Sequence, residues 1–177
     1  MILVRHPQPL VAPGVCYGRT DLAVAPEHLE QTLAALRASL PAGLPLYSSP
    51  LRRCAELAAR LSPAPIYDER LVEMDFGGWE MQPWDAIPRA DIDAWAGDVV
   101  HYRPGGGESV LRMAERIADF YADLQRQQPC GSDAIIVCHA GAMRLLAACH
   151  TGLAPAEMAL HAARAAHNIP YGSTLVL

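Results

Sequence analysis

The 177 residues suffice for one domain with a substantial core, and a chain that is 51% apolar and 19% charged has the make-up of an ordinary globular protein. A formal net charge of -5, with no Lys/Arg block, excludes the field and the patches by which proteins hold nucleic acid or anionic membranes. Cys16, Cys54, Cys130, Cys138 and Cys149 are odd in number and irregular in spacing, which predicts no disulfide framework and a reducing, cytoplasmic setting. No apolar stretch reaches the roughly 20 residues of a membrane span. The first strand-like run follows Met1 directly, and no signal peptide is expected.

Ile2 to Val4 is a short run rich in β-branched residues, stopped by Pro7 and Pro9, and reads as a buried parallel strand feeding a loop. Pro26 suits a first helical turn, and Leu29, Leu33, Leu36 and Leu40 recur at helical spacing until Pro41 and Gly43 end the helix. Leu44 to Tyr47 is a second strand. Ser48-Ser49-Pro50 predicts a helix start with Ser at the cap and Pro at the first helical position, running to Ser62-Pro63. Ile66-Tyr67 is a brief strand. Leu71 to Gly106, rich in Trp, Asp, Pro and Gly, reads as loop with one or two short helices. Ser109 caps a longer helix from Val110 to about Gln127, Ala134 to Cys138 is the clearest buried strand, and Gly141 opens an Ala/Leu-rich helix ending near Gly152. Another helix follows from Pro155 to Ala165, and Ser173 to Leu177 is a terminal strand. Strands alternating with helices predict a single α/β domain, a sandwich with a mostly parallel sheet.

Two segments share a layout: Leu3-Val4-Arg5-His6 and Val137-Cys138-His139-Ala140-Gly141 each end an apolar strand at a histidine. Open α/β sheets place ligand sites past the carboxyl ends of their strands, so if these strands are neighbours, His6 and His139 face one crevice. A histidine that only caps its strand is the competing reading for either one alone. Arg5 adds a planar fork suited to a pair of phosphate oxygens. Arg52-Arg53, one turn into the helix after the second strand, would make its N-terminus an anion site, unless the pair simply faces solvent. A buried Arg5 requires a carboxylate or a ligand.

Five motifs then occur in order. Leu-Val-Arg-His at the N-terminus, Ser-Ser-Pro-Leu-Arg-Arg from Ser48 to Arg53, Leu71 to Gly77, Gly-Gly-Glu-Ser from Gly106 to Ser109, and Cys-His-Ala-Gly from Cys138 to Gly141 resemble the histidine phosphatase (phosphoglycerate mutase-like) superfamily. They span more than three quarters of the chain. The resemblance implies a three-layer α/β/α sandwich and a metal-independent phosphomonoesterase without cofactor, acting on a small-molecule phosphate ester. It implies His6 as nucleophile, with Arg5, Arg53 and a protonated His139 around the phosphoryl oxygens. Arg53, not Arg52, matches the functional position. Glu73 falls on the position of the general acid, with Asp75 or Glu80 as alternatives, and Tyr17, Gly18 and Ala140 fall among the substrate-binding positions. Such chemistry suits these residue types, because phosphoryl transfer spreads charge over three equatorial oxygens and catalysis is mainly positioning and charge stabilisation.

The chain departs from the family pattern after His6, where Pro7-Gln8-Pro9 stands in place of Gly-Glu and removes two backbone donors. The stretch Gly14 to Asp21 resembles a segment of an α-ribazole phosphatase-like branch, which dephosphorylates a cobalamin precursor. Mutases of the family resemble longer chains, so water is expected to complete the reaction; a mutase, a non-catalytic phospho-ligand module and a phosphohistidine phosphatase are the alternatives. Oligomeric state is left open. Gly105 to Ser109 reads as a turn and helix cap, since it lacks the Lys and strand of a phosphate-binding loop, although Glu108 stands where it would approach the pocket. Cys138 reads as an inert buried thiol, Cys16 as a loop thiol of low reactivity, and no spacing suits zinc. His28, His101, His150, His161 and His167 show no partner pattern, and His167 alone lies just ahead of the final strand. Trp79, Trp84 and Trp95 are expected to pack internally, with a lid over an organic leaving group as the second reading.

Overall fold

In the computed structural model, which describes residues 1–127, 133–164 and 169–177, the apolar runs assemble into one sheet. Cys130 and His167 lie outside the described residues. Strands β1 (Ile2–Arg5), β2 (Leu46–Ser48), β3 (Ile66–Tyr67), β4 (Ile135–Cys138) and β5 (Thr174–Val176) are ordered β3-β2-β4-β1-β5. The first four run parallel and only β5 is antiparallel, to β1. β1 and β4 are neighbours with Arg5 opposite Cys138, and Ser48 of β2 lies opposite Val137. The next residue of each strand, His6, His139 and Ser49, therefore emerges at one edge of the sheet, the end where such sheets place their ligands.

Alternation along the strands divides the core. Val4, Leu46, Ile135 and Val137 pack against α1 (Pro26–Ser39) and α2 (Arg52–Leu61) through Leu33, Leu36, Cys54 and Leu57. A short helix, α3 (Arg89–Gly97), lies in the segment that follows. On the opposite face Leu3, Tyr47, Ile136 and Cys138 meet α4 (Val110–Gln127), α5 (Ala140–His150) and α6 (Pro155–Arg164). Two helical layers on a mostly parallel sheet are the α/β/α sandwich expected. Buried on both faces, the central strands β1, β2 and β4 carry apolar residues in both phases, as parallel strands do. Among the described residues no helix is long and apolar enough to cross a membrane.

Two local expectations are corrected. The second helix begins at Arg52, not at Ser49-Pro50, and its cap residue Leu51 offers no side-chain acceptor. The Ser49 hydroxyl is held instead by the His139 ring at 2.8 Å, and the carboxylate of Asp21, far away in sequence, accepts the Arg52 N–H at 2.7 Å. The second strand lies at Leu46–Ser48 rather than Leu44–Tyr47. Ser109 does cap α4, its hydroxyl accepting the Arg112 N–H at 3.3 Å. Between Leu71 and Gly106 the chain forms 3₁₀ turns and α3. Gly77 is needed there: at φ 52 a Cβ would lie 2.4 Å from the Gly105 carbonyl oxygen, so only glycine lets the two loop segments touch.

Candidate active site

His6 follows β1 and is only 2% exposed. Its Nδ1 lies 2.7 Å from the Pro7 carbonyl oxygen. A carbonyl only accepts, so Nδ1 carries the proton and Nε2 keeps its lone pair. Burial, the Arg53 guanidinium and Arg5 lower the pKa to about 3 against a partial rise from the Pro7 bond. The ring is therefore neutral at neutral pH. Pro7 lacks an N–H, yet its carbonyl performs this orienting contact.

Arg53, in the first turn of α2, is fully buried. It donates from Nη1 to the Thr20 carbonyl at 2.7 Å, from Nη2 to the Gly18 carbonyl, and from Nε to His139 Nδ1 at 3.3 Å. Those bonds use three of its five N–H groups and fix the plane of the fork. His139 sits 5.0 Å from His6, ring centroid to ring centroid. Because Nδ1 accepts from Arg53, Nε2 is the protonated nitrogen and donates to Ser49 Oγ at 2.8 Å. Burial, and then Arg53, His6, Arg116 and Arg5, hold its pKa well below the ordinary histidine range. The expectation of a protonated His139 is thus corrected: a fully buried ring between a guanidinium and a hydroxyl is neutral. Both its nitrogens are engaged, Nδ1 by Arg53 and Nε2 by Ser49, and it does not line the cavity.

Arg5 needs no carboxylate. Its Nη1 donates to the Ile169 carbonyl and its guanidinium lies over the Tyr171 ring, 3.9 Å from the centroid. Its Nε is buried and has no acceptor among the described residues. Tyr171 also lies 5.6 Å from the His6 ring, and its hydroxyl bonds that of Tyr17 at 2.7 Å. The backbone of this segment is zipped to β1: Gly172 N–H donates to the Arg5 and His6 carbonyls, both at 3.2 Å, and Arg5 N–H donates to Ser173 at 3.0 Å.

Glu73 lines the same cavity as Arg5, His6, Tyr17, Arg53 and Ala140, a space of about 550 Å³. Its Oε1 accepts the Met74 N–H at 3.0 Å and its Oε2 the Gly141 N–H at 2.9 Å, so the carboxylate also closes the N-terminal turn of α5. The alternatives are engaged elsewhere. Asp75 accepts the Gly77 N–H at 2.7 Å and does not reach the cavity. Glu80 takes the amides of Arg19, Thr20 and Phe76 and the Thr20 hydroxyl. Although burial opposes it, this set of donors lowers the Glu80 pKa. Glu108 is clasped by Arg116 through two bonds of 2.8 Å and does not line the cavity, contrary to its expected approach. Gly18 also stands behind the site, holding Arg53 through its carbonyl; a Cβ there would lie 1.9 Å from the Met74 carbonyl oxygen.

Cys138 is buried with its thiol pKa pushed well up by burial, in keeping with an inert core residue. Burial and then Glu80 push Cys16 up to about 12, so this thiol is no nucleophile. Four participants are missed by the sequence reading: Ser49, Tyr171, Arg144 and Gly141. Ser49 carries the marks of a cap, which conceal its part in the site. Arg144 lines the cavity from a position that the helix period alone does not distinguish. Tyr171 follows Pro170 in an irregular segment whose path depends on tertiary pairing. Trp79 packs internally with Cys16 and Ile87, whereas Trp84 and Trp95 line the cavity.

The family model described as histidine phosphatase superfamily (branch 1) matches residues 1–169. Among solved structures, a mycobacterial glucosyl-3-phosphoglycerate phosphatase complexed with VO3 is similar, with 26% identity, a TM-score of 0.75, and coverage of 90% of this chain and 85% of that one. A phosphoglycerate mutase from Thermus thermophilus has 28% identity and a TM-score of 0.70, over 98% of this chain and 89% of its own. A putative alpha-ribazole-5'-P phosphatase from Escherichia coli, at 24% identity, shares the fold with a TM-score of 0.75 over 89% and 81% of the two chains. None of the curated proteins matches.

Proposed function

The chain belongs to the histidine phosphatase superfamily, and from that premise we propose that it is a phosphomonoesterase that carries the phosphoryl group on His6. The observation that carries the reading is the state of His6. Its Nδ1 proton is tied to the Pro7 carbonyl, and burial with Arg53 holds the ring neutral, so Nε2 is an unprotonated nucleophile at neutral pH. Around it stand Arg5 and Arg53, which match the charge of a phosphate dianion and the growing charge of its transition state.

In the first half-reaction Nε2 attacks phosphorus in line, the P–O bond to the alcohol breaks, and Glu73 gives its proton to the leaving alkoxide. In the second, Glu73 takes a proton from water, whose oxygen attacks the phosphohistidine; phosphate leaves and Nε2 regains its lone pair. His139 and Ser49 keep the Arg53 fork in plane. Arg5, Arg53, Tyr17 and Ala140 bound the phosphoryl end, and the two guanidiniums supply the charge that a metal would otherwise provide. The Gly14 to Asp21 segment, which delivers Tyr17, the Gly18 and Thr20 carbonyls and the Asp21 cap of α2, supports α-ribazole 5'-phosphate, and with it a place in cobalamin synthesis, as the first specific substrate to test.

Purified protein in excess chelator is expected to hydrolyse phosphate monoesters, and His6→Ala to abolish turnover. Binding of phosphate or vanadate without hydrolysis of any ester would replace this reading with a phospho-ligand module. The likeness to a phosphoglycerate mutase favours a second reading, which transfer to an added hydroxyl acceptor in preference to water would establish.

A further inference from the structure

The cavity is far larger than a phosphoryl group requires: about 550 Å³, the size that takes a whole small-molecule ligand. Its charged side chains are Arg5, Arg53, Glu73, Arg144 and, when protonated, His6. Much of the rest of the lining is apolar, formed by Phe76, Trp84, Trp95, Ile92, Val110 and Met113 among others. The wall is a built one. Trp84 and Trp95 lie nearly parallel, at 9° and 6.3 Å between centroids, and Phe76 meets both edge-on at 5.8 and 5.9 Å. Backbone bonds hold this cluster beside the His6 loop: Trp84 N–H donates to Gly14 at 2.9 Å, Cys16 N–H to Gln82 at 2.8 Å and Met81 N–H to Cys16 at 2.8 Å. Met81 takes a left-handed backbone, φ 64, to make this turn. Trp84 nevertheless remains 39% exposed.

We propose that the alcohol released by the enzyme carries an uncharged aromatic group, seated against Trp84, Trp95 and Phe76 while the phosphoryl group meets His6. The inference rests on the phosphatase reading of the same cavity and adds the leaving group. Aromatic faces favour another aromatic ring in offset or edge-on contact. A glycerate, or a sugar that bears no aromatic group, would set its hydroxyls or carboxylate against a wall that returns few of the hydrogen bonds lost from water. The substrate class thus differs from the phosphoglycerates in the names of two structural neighbours.

The test compares 2-phenylethyl phosphate, glycerol 1-phosphate and 3-phosphoglycerate, three alkyl esters that isolate the wall from leaving-group acidity. The aromatic ester is expected to have a kcat/KM about 10- to 100-fold above the other two, the range set by burial of one aromatic ring. In Trp95→Ala or Trp84→Ala that ratio is expected to collapse toward one. In the wild type, phenylethylphosphonate should outcompete methylphosphonate as an inhibitor, an arm that needs no variant. Equal kcat/KM for all three esters, or a ratio preserved in both tryptophan variants, overturns the inference and leaves the phosphatase intact. No hydrolysis of any ester removes the phosphatase reading and the inference with it.

Discussion

Replacing Gly141 by Ala should separate stability from activity. Gly141 is the second residue of α5, and a Cβ built on it lies 2.3 Å from Glu73 Oε1 and 3.1 Å from the carboxyl carbon, with nothing closer. Contact between a methyl carbon and an oxygen is normally beyond 3 Å, so the carboxylate must withdraw by about 1 Å, and the far end of a flexible side chain can do so without moving backbone. In a helix Ala is favoured over Gly by up to about 1 kcal/mol, less near the first turn, and this gain roughly offsets the weakened bond from the Gly141 N–H to Glu73, worth about 1 kcal/mol, so the fold should stay within about 1 kcal/mol of the wild type. A displacement of about 1 Å in a catalytic group costs on the order of 100-fold in rate. The assay is kcat on an alkyl phosphate monoester beside urea unfolding of the same preparation. A variant with unchanged kcat would refute the placement of Glu73 as proton donor through this contact; a variant that unfolds early would refute the claim that only the side chain yields.

Three further outcomes follow from the same geometry. Glu73→Gln should lower kcat/KM, which reports phosphoryl transfer to His6 and not the later attack of water, by about 100- to 10,000-fold for an alkyl ester and far less for a nitrophenyl ester, whose leaving group needs no proton; equal losses of kcat/KM on both would mean that Glu73 is not the acid. Because His6 titrates at about 3 in the folded chain and near 6.5 when unfolded, the unfolded chain binds the extra proton between those values. Stability therefore falls as pH drops through that window, by roughly 2 kcal/mol between pH 7 and 5 from this group. His139, lowered by burial in the same direction, adds to it. Urea midpoints of the wild type and His6→Asn at the two pH values check this, and an identical pH dependence in both would contradict it. Gly18→Ala places a Cβ 1.9 Å from the Met74 carbonyl and 2.7 Å from the Phe76 ring. It should destabilise the chain by about 1–3 kcal/mol and lower activity, since the Gly18 carbonyl holds Arg53; an unchanged urea midpoint would show that the loops can part freely.

The sandwich is legible because its strands are short, apolar and bounded by Pro, Gly or Ser, and because Ile135 to Cys138 admits no amphipathic reading. The meeting of His6 and His139 follows from two strands that end alike. What stays hidden depends on contacts between distant segments. Ser49 has every mark of a helix cap in its tripeptide, but the His139 ring reaches it first, and Asp21 takes over the cap. The charge of His139 is not legible because residue type alone does not reveal full burial against Arg53, where a second positive charge is disfavoured. Tyr171 enters the site only through the pairing of its segment with the end of β1, which no local pattern encodes. Trp84 and Trp95 share composition and neighbourhood with Trp79, and only the fold separates the two that face the cavity from the one that packs beneath them.

The central claim is a covalent bond between phosphorus and His6. Arg5 and Arg19 bound a tryptic peptide from His6 to Arg19 that contains no other histidine. Wild-type protein mixed with an aryl phosphate ester, quenched in alkali within a turnover and digested, should show that peptide with an added phosphoryl group that is lost in acid, while His6→Ala shows none. Steady hydrolysis with no phosphoryl group ever found on that peptide, or hydrolysis retained by His6→Ala, would contradict the account.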